Sequence, residues 1–191
     1  MVILMFGIDD EEFIRGDVPM TKQEIRILTL AKARIKAGDI VIDIGAGTGS
    51  LSVEAAQIAR RVFAIERNPE ALDLIQQNAD KFNVENIIII NSEAPNGLEA
   101  IKNVDVALIG GSGGKLTKIL DTLEKRLKSG GRIVLNCITI QTVAEALNYF
   151  KSHDNYSYEA IQVQINRLQQ VGKVDMSKAL NPIYIVTATK S

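Results

Sequence analysis

VIDIGAGTGSLSVEA, residues 41–55, decides the fold. Its first four residues are apolar except Asp43, the composition of a strand covered on both faces. Glycines at 45, 47 and 49 then form a tight turn, and SLSVEA starts a helix. A strand, a glycine turn and a helix in that order open a parallel α/β unit. The rhythm continues on either side: IVIDIG (40–45), RVFAIE (61–66), NIIII (86–90), VDVALIG (104–110) and GRIVLNC (131–137) read as strands. Helical periodicity fills 49–59, 69–82, 114–128 and 140–151. Asn68 caps the second of these helices, with Pro69 at its first position, and Ser129-Gly130-Gly131 closes the third. The pattern predicts a doubly wound α/β core with helices on both faces of the sheet.

Beyond residue 151 the alternation of strand and helix stops. YSYEAIQVQINRL (156–168) alternates as one long strand, QQVGKVDMSKALN (169–181) reads as a polar loop, and PIYIVTATK (182–190) is a strand. Two strands with no helix between them pair antiparallel most simply, giving seven strands with an antiparallel last one. Residues 1–38 precede the core (39–191) of a single domain and are expected to cover its ligand site. Within them TKQEIRILTLAKARI (21–35) reads as an amphipathic helix capped by Thr21, with Glu24 at the capping-box position. The apolar opening MVILMF lacks the flanks of a signal peptide and reads as an edge strand or a subunit contact.

Composition narrows the function classes. The chain has 191 residues, enough for one well-buried domain, and no apolar run of membrane-spanning length. With 22 Lys and Arg against 23 Asp and Glu, it carries no electrostatic footprint for a nucleic-acid backbone. A single cysteine, Cys137, and a single histidine, His153, rule out an internal disulfide framework and a Cys/His metal site of the usual spacing. The expectation is a cytoplasmic protein with no metal, membrane or nucleic-acid partner. His153, in a polar turn, is expected to be exposed.

A dinucleotide pyrophosphate calls for G-x-G-x-x-G at such a turn, whereas Gly45-Ala46-Gly47-Thr48-Gly49 is G-x-G-x-G. Asp43, two residues before the first glycine, would repel a phosphate pair and favours a cationic or zwitterionic ligand. Glu66 ends the second strand about 20 residues on, where this topology places an acid that accepts ribose hydroxyls. A ribose joined to an ammonium and sulfonium end fits all three features. That ligand is S-adenosylmethionine, and DIGAGTG followed by this glutamate resembles the Rossmann-like class I methyltransferases. The resemblance implies that Glu93 and Ala94, after the third strand, contact adenine.

Three further stretches are less generic. PMTKQEIR (19–26), SEAPNGLEAI (92–101) and VDVALIGGSGGKLTKIL (104–120), together with the glycine loop, resemble the CbiT family over nearly the whole chain. That family comprises decarboxylating methyltransferases acting on C15 of cobalt-precorrin-6B in cobalamin (vitamin B12) biosynthesis. The resemblance implies methylation at C15, loss of the C12 acetate carboxyl as carbon dioxide, a tetrapyrrole substrate, a homotetramer, and Thr21 close to the cofactor. Gly110-Gly111-Ser112-Gly113-Gly114 closes the fourth strand at the carboxyl edge of the sheet, where backbone free of side chains lets a flat macrocycle approach. Asn136, at the end of the fifth strand, is placed with these residues toward substrate or as a cap for the helix near Thr139. No catalytic side chain is assigned, because methyl transfer requires positioning more than a nucleophile from the protein.

Arg15, Lys22, Lys115 and Arg167 read as solvated charges near the same edge. Asn181-Pro182-Ile183-Tyr184 is similar to the Asn-Pro-Pro-Tyr loop of amino-group methyltransferases. It lacks the second proline and precedes the last strand, so it reads as a strand start. The rival readings are a methyltransferase for protein carboxylates or transfer RNA, and a non-catalytic module that binds S-adenosylmethionine.

Overall fold

The computed structural model describes residues 7–191, so the reading of MVILMF lies outside the described residues. Five strands form at the Ile- and Val-rich runs: β1 (Ile40–Ile44), β2 (Arg61–Glu66), β3 (Ile87–Asn91), β4 (Val104–Ile109) and β5 (Leu127–Cys137). They are joined through α2 (Ser50–Ala56), α3 (Pro69–Lys81) and α4 (Leu116–Glu124), with α1 (Gln23–Ala33) ahead of them and α5 (Ile140–Lys151) after them. Two more strands, β6 (Tyr156–Val163) and β9 (Ile183–Lys190), complete a seven-stranded sheet of order β3-β2-β1-β4-β5-β9-β6. β9 runs antiparallel to both of its neighbours. β6 therefore points the same way as the five parallel strands.

Residues alternate between the two faces of each strand, and so does the core. Ile42, Ile44 and Ala107 pack on one face with Leu116, Ile119, Leu120 and Leu123 of α4 and with Val143, Ala146 and Phe150 of α5. Val41, Val106, Leu108 and Val134 pack on the other with Leu30 and Ala33 of α1 and Leu51 and Ala55 of α2. The four α4 residues recur at helical spacing and are fully buried. Each large aliphatic side chain removed from water in this way contributes about 1.5–3 kcal/mol before entropy is counted.

Several local expectations are corrected. The third core helix stops at Glu124 rather than 128, and Ser129-Gly130-Gly131 lies inside β5, where the register against β4 shifts between Val104 and Val106. Gly130 has φ +76°, so the glycine pair serves a strand irregularity rather than a helix stop. The stretch 169–181 is not a loop. β7 (Asn166–Val171) and β8 (Val174–Ala179) pair as a separate antiparallel hairpin around Gly172-Lys173, with Gly172 at φ +64°.

Thr21 does not cap α1. The cap position is Lys22, and the first free amide, Gln23 N–H, donates to Asp10 Oδ1 at 2.9 Å. Glu24 makes no capping box and pairs instead with Arg167 at 2.8 Å. His153 is half-buried rather than exposed, stacked 4.2 Å from the Tyr149 ring with Nδ1 2.7 Å from that residue's carbonyl oxygen. Asn68 does cap α3, accepting from Glu70 N–H, with Pro69 at the first turn.

The segment ahead of α1 is clamped to the core by buried polar groups. Arg26 is fully buried; its Nε donates to Glu54 Oε1 at 2.5 Å, and its Nη1 donates to Asp10 Oδ1 at 3.2 Å and to the Thr21 carbonyl at 2.7 Å. Its Nη2 donates to the Ile8 carbonyl. Glu54 also accepts from the Gly7 and Ile8 amides at 2.9 and 3.2 Å. Asn78 of α3 donates both to the Ile14 carbonyl and to the Thr48 carbonyl of the glycine turn, at 2.9 Å each. The segment from Gly7 to Lys22 is thereby fixed against the elements that carry the glycine loop.

Candidate active site

At the carboxyl edge of the sheet the ends of β1, β2, β3 and β4 surround a cavity of about 430 Å³. This is where open parallel sheets bind ligands, because the strands end there and the following helices begin. Two glycine clusters form one wall. The Gly110 and Gly111 amides donate to the Ile44 carbonyl at 2.9 and 3.3 Å, which brings the two turns together. A Cβ on Gly45, itself at φ +70°, would lie 2.9 Å from the Gly111 backbone. On Gly47, at φ +56°, it would lie 2.8 Å from the Pro19 carbonyl oxygen. At Gly111 a Cβ would meet nothing within 4 Å.

Of the residues predicted to bind the cofactor, Thr21, Gly45, Ala46, Gly47, Glu66, Glu93 and Ala94 line this cavity. Glu66 Oε2 accepts from Gly47 N–H at 3.0 Å, and Oε1 accepts from Arg67 and Asn68 N–H at 2.8 and 2.9 Å. The carboxylate thus braces the glycine turn and the β2–α3 turn together while remaining in the cavity wall. Glu93 is bridged by Arg67 at 2.5 Å and by Lys115 at 2.6 Å, and Lys115 holds its carboxyl below the usual carboxylate range.

Asp43, Thr48 and Gly49 do not line the cavity. β1 alternates, so Ile44 faces the cavity side while Asp43 points beneath α2, where its Oδ2 accepts from Ser52 Oγ at 2.6 Å. Its other oxygen, Oδ1, is buried and finds no partner among the described residues, and burial pushes the carboxyl up to about 6. Thr48 is buried under the turn, and its carbonyl receives the Asn78 amide. Gly49 serves helix packing, since a Cβ there would lie 3.1–3.2 Å from Ile75 of α3.

Among the residues predicted to face substrate, Gly110, Gly111, Ser112, Gly113 and Asn136 line the cavity and Gly114 does not. Asn136 Oδ1 accepts from Thr29 Oγ1 at 2.9 Å, which ties α1 to the end of β5. It caps no helix, because Thr139 caps α5 with its own hydroxyl. Lys22 borders the cavity, Lys115 is held by Glu93, Arg167 is held by Glu24, and Arg15 is exposed away from it. The sequence reading missed Val18, Ile25, Arg67, Asn68, Ile138 and Ile183 in the wall. Arg67 and Asn68 were one and two residues past Glu66, and Ile183 belongs to the strand start at 181–184. Among the described residues no group of three or more His, Cys, Asp or Glu is arranged to hold a metal, and no helix is long and apolar enough to cross a membrane.

The buried Asp43 carboxyl makes stability depend on pH. Its pKa rises from 3.8 unfolded to about 6 folded, so the fold prefers the protonated form. The resulting penalty is absent below pH 4, grows through pH 6 and reaches about 3 kcal/mol above it. Asp43→Asn should therefore gain stability relative to the unmodified chain between pH 4 and pH 7.5, by about that amount, in ligand-free urea titrations.

Comparison with known proteins agrees with this geometry. A family profile described as the precorrin methyltransferase domain matches residues 12–190. The chain is 42% identical over 189 residues to the probable cobalt-precorrin-6B C(15)-methyltransferase (decarboxylating) of Sulfurisphaera tokodaii, covering 96% of this chain and 97% of that one. It is 38% identical over 184 residues to the cobalt-precorrin-6B C(15)-methyltransferase (decarboxylating) of Salmonella typhimurium, covering 95% of each. The crystal structure of precorrin-6y C5,15-methyltransferase from Geobacter metallireducens superposes with a TM-score of 0.90 at 40% identity, covering 97% of both chains. With its seven-stranded Rossmann-like sheet and a match over nearly its full length, the chain belongs to the precorrin methyltransferase family.

Proposed function

We propose that this protein transfers a methyl group from S-adenosylmethionine to C15 of cobalt-precorrin-6B and releases the C12 acetate carboxyl as carbon dioxide, a step of cobalamin biosynthesis. The observation that carries the reading is the junction of the glycine turn, Glu66 and the Pro19–Lys22 segment around one cavity, with the side-chain-free Gly110–Gly113 wall beside them. The residues fit such a methyl donor. Glu66 offers carboxylate lone pairs for ribose hydroxyls, the turn at Gly45 and Gly47 leaves bare backbone, and the unpartnered Asp43 oxygen gives negative potential beneath the turn.

When bound, S-adenosylmethionine supplies an electrophilic methyl group on a sulfonium sulfur. The chain's own part is to bind and orient. Glu66 holds ribose, Glu93 and Ala94 border adenine, Thr21 closes the cavity from the N-terminal segment, and Gly110–Gly113 with Ser112 and Asn136 face the macrocycle. Holding donor and acceptor in near-attack geometry supplies most of the advantage for such an in-line displacement. No protein nucleophile takes part.

Calorimetric titration tests the cofactor half of this reading. S-adenosylhomocysteine should bind while NADH does not, and Glu66→Ala should weaken binding by about 1.5–3 kcal/mol, the worth of hydrogen bonds to a charged group. Binding of NADH instead, or unchanged affinity in Glu66→Ala, would contradict it.

The hairpin supports a homo-oligomer, and the family resemblance a tetramer. All residues of β7 and β8 are exposed, including Leu168, Val171, Val174 and Met176, and a lone two-stranded ribbon is marginal in water. A second copy of the chain is the partner assigned to it. Light scattering should give a multiple of the 20.9 kDa chain mass that falls toward one chain in Val174→Asp/Met176→Asp; a monomeric unmodified protein would contradict the assignment.

A further inference from the structure

Beside the main cavity lies a second one of about 190 Å³, on the far side of the Gly110-Gly111-Ser112 wall. Those three residues, Asn136 and Ile138 line both cavities. The smaller space has less than half the volume of the main cavity, the scale of a ring substituent rather than of the macrocycle. Its floor is apolar, built from Ile109, Leu135 and Cys137 at the ends of β4 and β5. Burial pushes the Cys137 thiol up to about 11, so this floor is neutral and poorly solvated at physiological pH.

Among the described residues no charged one lines the second cavity. Thr139 and Thr142 hydroxyls lie 2.8 Å apart and Asn136 Oδ1 accepts from Thr29, while Ser112 adds one neutral hydroxyl side chain to the lining. At the mouth the β5–α5 turn presents Ile138, 66% exposed, and Ile140, 60% exposed, opens the helix that follows. Large aliphatic side chains this open to solvent, next to a cavity in a ligand-binding edge, suit the face of a flat apolar ring system.

Resting on the function proposed above, we infer that this smaller cavity is the decarboxylation subsite. It receives the acetate substituent of the macrocycle, whose ring lies against Ile138 and whose methyl-accepting carbon reaches past the edge of the glycine wall into the main cavity. A carboxylate with no cation to pair with is less stabilised there than in water, and the dispersed charge of the departing state loses less. The bond between the acetate methylene and the carboxyl carbon breaks and carbon dioxide leaves. The electron pair stays on the methylene carbon and spreads into the conjugated macrocycle. A proton from water then converts the methylene to a methyl group. Because the two cavities share a wall, one placement of the substrate serves both reactions.

The test is the ratio of carbon dioxide released to methyl groups transferred, measured with cobalt-precorrin-6B and labelled S-adenosylmethionine. The unmodified protein should give a ratio of one. Thr142→Leu fills the second cavity while leaving the Thr142 amide to be capped by Thr139, and it should lower the ratio at least fivefold, with methylated product that keeps its carboxyl accumulating. Ile138→Asp, at an exposed position that does not burden folding, sets a negative charge at the mouth and should lower the ratio in the same direction. A ratio that stays at one in both variants, whether or not the overall rate falls, would overturn the subsite. An unmodified protein that transfers no methyl group to the macrocycle would overturn the proposed function and this inference with it.

Discussion

The arrangement of the site depends on one buried charge. Arg26 sits on α1, fully out of water, and reaches Glu54 on α2, Asp10 in the N-terminal segment and the carbonyls of Ile8 and Thr21. Removing one partner of such a pair typically costs about 3–5 kcal/mol, because the remaining charge is stranded in a poor solvent. Replacing the whole set by apolar residues often costs far less, so general stability does not explain its presence. Its geometric result is specific. With Asn78 bridging Ile14 and Thr48, it sets Pro19 against Gly47 and Thr21 into the cavity wall, making the N-terminal segment part of the site.

The second constraint is close backbone approach. Gly45 meets Gly111, and both turns hang from the Ile44 and Ile65 carbonyls at the strand ends. A side chain at Gly45 would displace backbone rather than flexible atoms. Glu66 then ties the turn after β1 to the turn after β2 through three amides. The carboxylate proposed to hold ribose is also the brace of the pocket, and under that proposal one residue couples ligand binding to loop order.

The core was legible because both faces of the sheet are covered. Strands covered on both sides are apolar throughout, which is why the five parallel strands could be read directly, whereas the exposed edge strand read as 156–168 ends at Val163. Tertiary partners were not legible. Arg26 looks like any helix cation, and nothing local says that Glu54 and Asp10, 28 and 16 residues away, neutralise it. Thr21 looks like a cap until Asp10 takes the Gln23 amide. The β7–β8 hairpin hid because its strands are exposed throughout and polar on average; Gly172-Lys173 between Val171 and Val174 was its one local signal. Asp43 reads as a ligand-side acid in the sequence, whereas strand alternation turns it beneath α2, where Ser52 donates to it.

Single-turnover reaction of the unmodified protein with cobalt-precorrin-6B and methyl-labelled S-adenosylmethionine tests the central claim most directly. Mass spectrometry should find one labelled methyl group on C15 and one carboxyl lost from each macrocycle. A macrocycle recovered unchanged, with the label on protein carboxylates or on transfer RNA in parallel reactions, would contradict it.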